Sequence, residues 1–230
     1  KMLMNWYEKG YMDVFQYGSV VRMMYGRHHM AENGGAGLIS LGLNCLPLDP
    51  NNKKIKRFIK SNYGFTMDTA KDNISDIGRP ATYTVEYIKR ADQIIMLDEL
   101  MKDNNIECTN EEFSHVYYFC DKVIHQRENY TFTVSMSSSR VFNYECINHE
   151  NMTGWYIGDG MTSLYNRNNT YKGEYWKNIN PYYIPGTTVD SQKREAVSIR
   201  QSNEYLSGQD FVGGTTLDNR YTVCAMALES

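Results

Sequence analysis

Hydrophobic and polar positions change their repeat about halfway along the chain. Asp92 to Met101, DQIIMLDELM, sets Ile94, Ile95, Leu97, Leu100 and Met101 at helical spacing, the pattern of a helix that buries one side. Ile55 to Ile59 is a shorter basic amphipathic piece following the breaks at Pro47 and Pro50. Gly34-Gly35-Ala36-Gly37 suits close helix packing or a loop. It lacks the strand before and helix after that a phosphate loop requires, so it carries no cofactor. Around Asp103 to Glu112 turn chemistry takes over through Asn104, Asn105, Thr109 and Asn110. Beyond it the repeat is two: His115 to Phe119, Lys122 to His125 and Tyr130 to Met136 read as strands, as does Tyr221 to Leu228 near the end. The pattern predicts an α+β chain in two domains, helical over residues 1–104 and an antiparallel β-sandwich over residues 105–230.

Composition narrows the function classes. The 230 residues can bury a core, and 19 tyrosines supply amphipathic bulk with both a flat face and a hydroxyl. That bias suits sugar binding, and equally an extended sheet surface. A net charge of -3 leaves no basic excess to neutralise phosphates, so no nucleic-acid partner is expected. The basic cluster Lys53, Lys54, Lys56, Arg57 and Lys60 reads first as a solvated helix face and second as an attractor for an anionic polymer. Cys45, Cys108, Cys120, Cys146 and Cys224 are odd in number and lack a CxxC pair. They predict buried small hydrophobes rather than a metal site or a disulfide framework. No apolar run is long enough to span a bilayer, and the opening Lys1-Met2-Leu3-Met4-Asn5-Trp6 is not a signal peptide.

The densest chemistry lies between Ser137 and Gly160. Arg140, Asn143, Glu145, Asn148, Asn151 and Asp159 stand there beside Trp155 and Tyr156. All six can hydrogen-bond sugar hydroxyls, and burying them without partners is costly. On the residues alone, a turn-rich connection satisfied by its own backbone explains them equally well.

This segment resembles the pattern S-S-R-x-x-N-Y-E-S-x-N-x-E-N-x-x-G-W-Y-x-G-D-G-M of polysaccharide lyase family 8, the hyaluronate, chondroitin AC and xanthan lyases. Three further stretches match in the same order. Asp121 to Arg127 resembles the family's M-D-K-V-V-H-R strand, Asn180 to Thr188 its N-P-Y-x-x-P-G-T-T loop, and Phe211 to Leu228 its F-V-G-G…Y-x-x-A-M-x-L hairpin. The resemblance implies the last part of an α/α-toroid followed by the first part of an antiparallel super-sandwich. It implies an enzyme without cofactor or metal that cleaves an anionic, uronic-acid-containing polysaccharide by β-elimination. It also implies an extracellular or cell-surface location.

In that family a Tyr and a His serve as base and acid, and an Arg and a Glu orient and tune the Tyr. Carried over, Glu145 is that glutamate and Asn148 the sugar-contacting asparagine. On their own chemistry Asn151 and Arg140 are further candidate substrate contacts, and Trp176 suits stacking on a sugar ring and core packing equally. The arginine belongs to a G-R-x-I-S-R motif. Gly26 to Ala31 is its better counterpart, placing Arg27 on the first arginine, and Tyr17 to Arg22 competes with Arg22 on the second. The family's catalytic His and Tyr precede that motif, and residues 1–26 hold no histidine. The chain is therefore expected to lack a complete active site and to depend on the missing N-terminal part of the toroid. The competing expectation is a non-catalytic carbohydrate-binding or structural sandwich. A glycoside hydrolase would need two facing carboxylates, and of Glu145, Glu150 and Asp159 the resemblance gives only the first an active-site role.

Overall fold

The computed structural model describes residues 2–8, 12, 15–16, 19–20, 41–62, 84–107, 111–141, 143–144, 146, 151–166, 175, 178–190, 192–196 and 211–227. They form two compact units, one of the described residues up to Glu111 and one of those from Glu112 onward.

The first unit holds α1 (Met2–Tyr7), a short antiparallel pair β1 (Phe15–Gln16) and β2 (Ser19–Val20), a 3-10 turn (Leu46–Leu48), α2 (Lys53–Asn62) and α3 (Thr84–Lys102). Asn52 starts α2, its Oδ1 accepting the Ile55 N–H at 3.0 Å, which satisfies a backbone donor that the helix leaves over. Ile55, Phe58 and Ile59 then fall on one side at i, i+3 and i+4 and are buried with Tyr7, Leu97 and Leu100. Tyr7 meets Phe58 edge-on with ring centroids 6.1 Å apart. Ile95, grouped with Leu97 and Leu100 by the sequence pattern, is 57% exposed. It sits about 200° around the helix from Leu97, beyond the width of the buried stripe. The basic cluster is largely committed locally. Arg57 pairs with Glu107, Lys54 Nζ lies 3.4 Å from Glu111, and Lys60 Nζ donates to the Asp103 carbonyl at 2.7 Å.

The second unit contains a four-stranded antiparallel sheet in the order β3 (Phe113–Tyr117), β4 (Lys122–Gln126), β5 (Thr131–Met136), β6 (Asp159–Tyr165). A separate hairpin, β7 (Val212–Leu217) and β8 (Tyr221–Met226), completes the described strands. The register aligns Val116, Val123 and Val134 across the sheet. With Met136 they pack against Val212, Cys224 and Met226 of the hairpin, and this sheet-on-hairpin core is a sandwich. The opposite face carries Gln126, Thr131, Thr133, Ser135 and Ser163, all buried and polar, beside Ile124 and Met161.

Two strand boundaries depart from the periodicity. The first predicted strand begins at Phe113 and ends at Tyr117, and Phe119, 98% exposed, lies in the turn. Alternation cannot mark where a tight hairpin must reverse; the left-handed Asp121 (φ 55°) at the turn does. The last strand stops at Met226, short of Leu228. Among the described residues, no helix is long and apolar enough to cross a membrane, and no group of His, Cys, Asp and Glu is arranged to hold a metal. Burial pushes the thiols of Cys45, Cys120, Cys146 and Cys224 up in pKa, away from reactive thiolates.

Candidate functional site

The polar stretch after β5 is built on three joints, each linking residues distant in sequence. The first is centred on Asp121, in the turn between β3 and β4 and 2% exposed at its side chain. Its Oδ2 accepts the backbone N–H of Ser138 at 2.9 Å and the Ser138 hydroxyl at 2.5 Å, and its Oδ1 accepts Arg140 Nη2 at 2.7 Å. Arg140 Nε also donates to Ser138 Oγ at 3.1 Å. A buried carboxylate thus receives a charge partner and two further donors, the condition for keeping a charge out of water. Arg140, expected to touch substrate, has this structural task, although 61% of its side chain is exposed.

The second joint closes a loop. Asn143 Nδ2 donates to the Trp155 carbonyl at 2.9 Å, and Asn143 Oδ1 accepts the Gly158 N–H at 2.6 Å. Gly158 is required there, since a Cβ would fall 2.0 Å from Asn143 Oδ1 and 2.7 Å from Ser137 Oγ. Next to Asn143, Tyr144 is buried against Gly154, where a Cβ would lie 2.7 Å from its ring and 2.8 Å from Asn151 Oδ1. Asn151 adopts a left-handed backbone (φ 55°), and its carbonyl accepts the Gly154 N–H at 3.3 Å. Tyr144 and Cys146 belong to one core with Ile157, Met161 and Ile184.

The third joint fastens the Pro-Gly-Thr-Thr loop to the edge of β6. The Thr162 N–H donates to Pro185 O at 2.8 Å and the Thr188 N–H to Asp159 O at 3.1 Å. Between these bonds Gly160 (φ 93°) and Gly186 (φ 80°) face each other, a Cβ on Gly186 landing 2.7 Å from Gly160 O. Gly160 is also the extra residue of the irregularity that shifts the β5–β6 register after Ser135. Farther along, Tyr156 donates to Asp190 Oδ1 at 2.7 Å, and Arg194 stacks over the Tyr156 ring while its Nε donates to the Tyr156 oxygen at 3.2 Å. Arg194 also pairs with Asp190. Tyr182 packs on Trp155 and Tyr156 at 5.5 and 5.8 Å and accepts the Arg194 N–H at 2.8 Å, whereas Tyr183 stands 79% exposed.

Two charged groups, Lys122 buried and Asp159 half-buried, accompany these joints. Burial pushes the Asp159 carboxyl up to about 6, opposed by Arg194, Asn143 and Lys122. Burial likewise lowers Lys122 to about 8, opposed by Cys120, Asp121 and Asp159, while its ammonium donates to the Met136 carbonyl.

Of the residues singled out from sequence, Arg140 and Asn151 stand in these joints. Arg27, Glu145, Asn148 and Trp176 lie outside the described residues. Sequence reasoning placed Asn143 only among the side chains able to hydrogen-bond sugar hydroxyls, and assigned no individual part to Asp121, Tyr156, Asp190 or Arg194. The acid–base spacing of four between Asp190 and Arg194 and the asparagine inside the matched pattern were the available signals.

The sheet-on-hairpin core places the second unit among antiparallel β-sandwiches. Residues 112–230 match the family model described as polysaccharide lyase family 8, super-sandwich domain, and the chain belongs to that family. It is 26% identical to a hyaluronate lyase of Staphylococcus aureus over 239 aligned residues, covering 99% of this chain and 28% of the relative. It is 42% identical to a xanthan lyase of a Bacillus species over 76 residues, covering 33% and 8% of the two chains. A solved Paenibacillus xanthan lyase shares the fold with a TM-score of 0.71 at 24% identity, over 98% of this chain and 21% of that one. In each case the match takes in less than a third of the relative's length.

Proposed function

We propose that this chain supplies the sandwich-side part of a lyase that cleaves a uronic-acid-containing polysaccharide by β-elimination. In that reaction a base removes the C5 proton, the C4–O4 bond breaks as a C4–C5 double bond forms, and an acid protonates the departing O4. The C5 proton leaves only when the neighbouring carboxylate charge is neutralised and the base is tuned. Glu145, with Arg27, orients and tunes the tyrosine base; Asn148 contacts the sugar, with Asn151, Arg140 and Trp176 as further contacts. The catalytic His and Tyr are not among these 230 residues. Residues 1–104 are the end of an α/α-toroid, whose remainder carries them. A polymer too large to enter a cell places the enzyme outside it or on its surface.

The observation that carries this reading is the family match over residues 112–230, together with joints made by the same residues that carry the sequence pattern. Exchanging Glu145 for Gln in the full-length protein tests it, with product followed by the ultraviolet absorbance of unsaturated uronides from hyaluronan, chondroitin or xanthan. A fall in kcat of about a hundredfold with an unchanged unfolding midpoint is expected; unaltered turnover removes Glu145 from the mechanism.

A further inference from the structure

We propose that the outer face and open edge of the β7–β8 hairpin seat a further β-strand of the same protein, drawn from the segment that follows Ser230 in the full-length lyase. The proposal rests on the reading above that this chain is part of a longer enzyme.

The hairpin is apolar on both sides. Val212, Cys224 and Met226 turn inward to the core shared with the four-stranded sheet. The alternate positions turn outward, and there Phe211, Leu217, Tyr221 and Val223 are each more than half exposed. The register makes them one surface. Leu217 pairs with Tyr221 and Thr215 with Val223, and the Ala227 N–H donates to the Phe211 carbonyl at 3.0 Å. Phe211 Cζ lies 3.4 Å from where a Cβ on Gly213 would stand, so an aromatic ring fills the gap the glycine leaves. None of these outward positions carries a charge. An apolar strip of this kind is costly to leave in water.

The strand edges point the same way. Among the described residues, β7 and β8 pair only with each other. Edges that face water are commonly blunted by charge, proline or a bulge. Here VGGTTL and YTVCAM hold neither a charged residue nor a proline, and the β7–β8 register runs without a shift. An unblunted edge beside an apolar face fits a strand, which pairs backbone groups and covers side chains at once. A helix, whose backbone is already paired, meets only the second need. Connectivity selects which strand. The match takes in less than a third of each relative's length, and β8 ends at Met226, close to Ser230. A segment continuing from there reaches the β8 edge through a short loop at small closure cost, whereas a second copy has to arrive by diffusion.

Two measurements on the full-length protein test this. Thr215 is exposed on the outer face opposite Val223, and Thr215→Cys barely changes the size of the side chain. Its labelling by a maleimide, located by peptide mass, is expected to be at least about 100-fold slower in the folded protein than in the same protein unfolded in urea. Labelling at the unfolded rate would overturn the proposal, since it would leave the face open. The occupant is identified by photo-crosslinking from Tyr221→p-benzoylphenylalanine. A cross-link within one chain to a peptide following Ser230 is expected. A cross-link to a peptide preceding Lys1, a cross-linked dimer or no cross-link would each overturn the assignment. Turnover does not enter either readout, so these outcomes are separate from that of Glu145→Gln.

Discussion

Asp159 and Lys122 show how a residue's surroundings set its thermodynamic weight. The Asp159 carboxyl is raised by burial to about 6. The folded state therefore holds its proton more tightly than the unfolded state does. The stability this gives is fully present below about pH 4 and is lost as pH rises through 6. Lys122 is lowered by burial to about 8, so its contribution is present above the ordinary lysine range and is lost as pH falls through 8. Each gap of two pH units or more corresponds to about 3 kcal/mol. Between about pH 6 and 8 both groups are charged, and their joint contribution is at its lowest. Urea unfolding of the wild type is expected to show stability falling between about pH 4 and 6, against the rising trend of ordinary paired carboxylates. Asp159→Asn is expected to flatten that fall; an unchanged slope would assign the effect to another group. Gly186 is a second single-residue dependence. Its φ of 80° and the 2.6 Å approach of Thr162 Cγ2 to the built Cβ leave no place for a side chain. Gly186→Ala is expected to destabilise by about 1–3 kcal/mol in the same assay.

Among the elements, the hairpin of β7 and β8 is fastened to the sheet by polar contacts at its turn as well as by its core. Ser114 N–H donates to Asn219 Oδ1 at 3.3 Å, and Arg127 donates to the Arg220 carbonyl. Asp218 and Asn219 hold φ of 51° and 54°, the left-handed pair at the centre of a turn closed by the Arg220 N–H on the Leu217 carbonyl at 2.9 Å. Asn219→Ala loses both the acceptor and the tolerance of positive φ, and is expected to cost about 1–2 kcal/mol by urea unfolding. A cost below a few tenths would show that the turn is held by the Val212, Cys224 and Met226 core alone. The elements were well legible where the pattern is strong. Lys122 to His125 and Tyr130 to Met136 alternate because neighbouring side chains of a strand face opposite ways, and Leu97 and Leu100 recur because a helix turns every 3.6 residues. β6 was not legible as a strand. Its residues Asp159 to Tyr165 begin inside a loop motif, and the left-handed Gly160 breaks the alternation at its start.

At the scale of the whole molecule, the matched motifs form one connected frame. Asp121 from the first motif binds Ser138 and Arg140 from the second. Gly160 from the second meets Gly186 from the third, and Arg127 from the first reaches the turn of the last. The described residues that carry the family resemblance chiefly hold this frame together, and the proposed base and acid are not among them. The 230-residue chain alone is accordingly expected to release no unsaturated uronide from hyaluronan, chondroitin or xanthan. Release of ultraviolet-absorbing product by the purified chain would show that it holds its own base and acid.

The sequence by itself determined the family, the change from helix to strand near residue 104, and the loop with the most hydrogen-bonding side chains. These are readable because periodicity and ordered motifs are local properties of a chain. Only the tertiary structure decided what those side chains do. Arg140 neutralises a buried aspartate 19 residues before it, Asn143 closes a loop onto backbone 12 and 15 residues later, and Tyr156 gathers Asp190 and Arg194. A hydrogen-bonding side chain has the same formula whether it faces a sugar or a carbonyl, and only the fold brings its partner within reach.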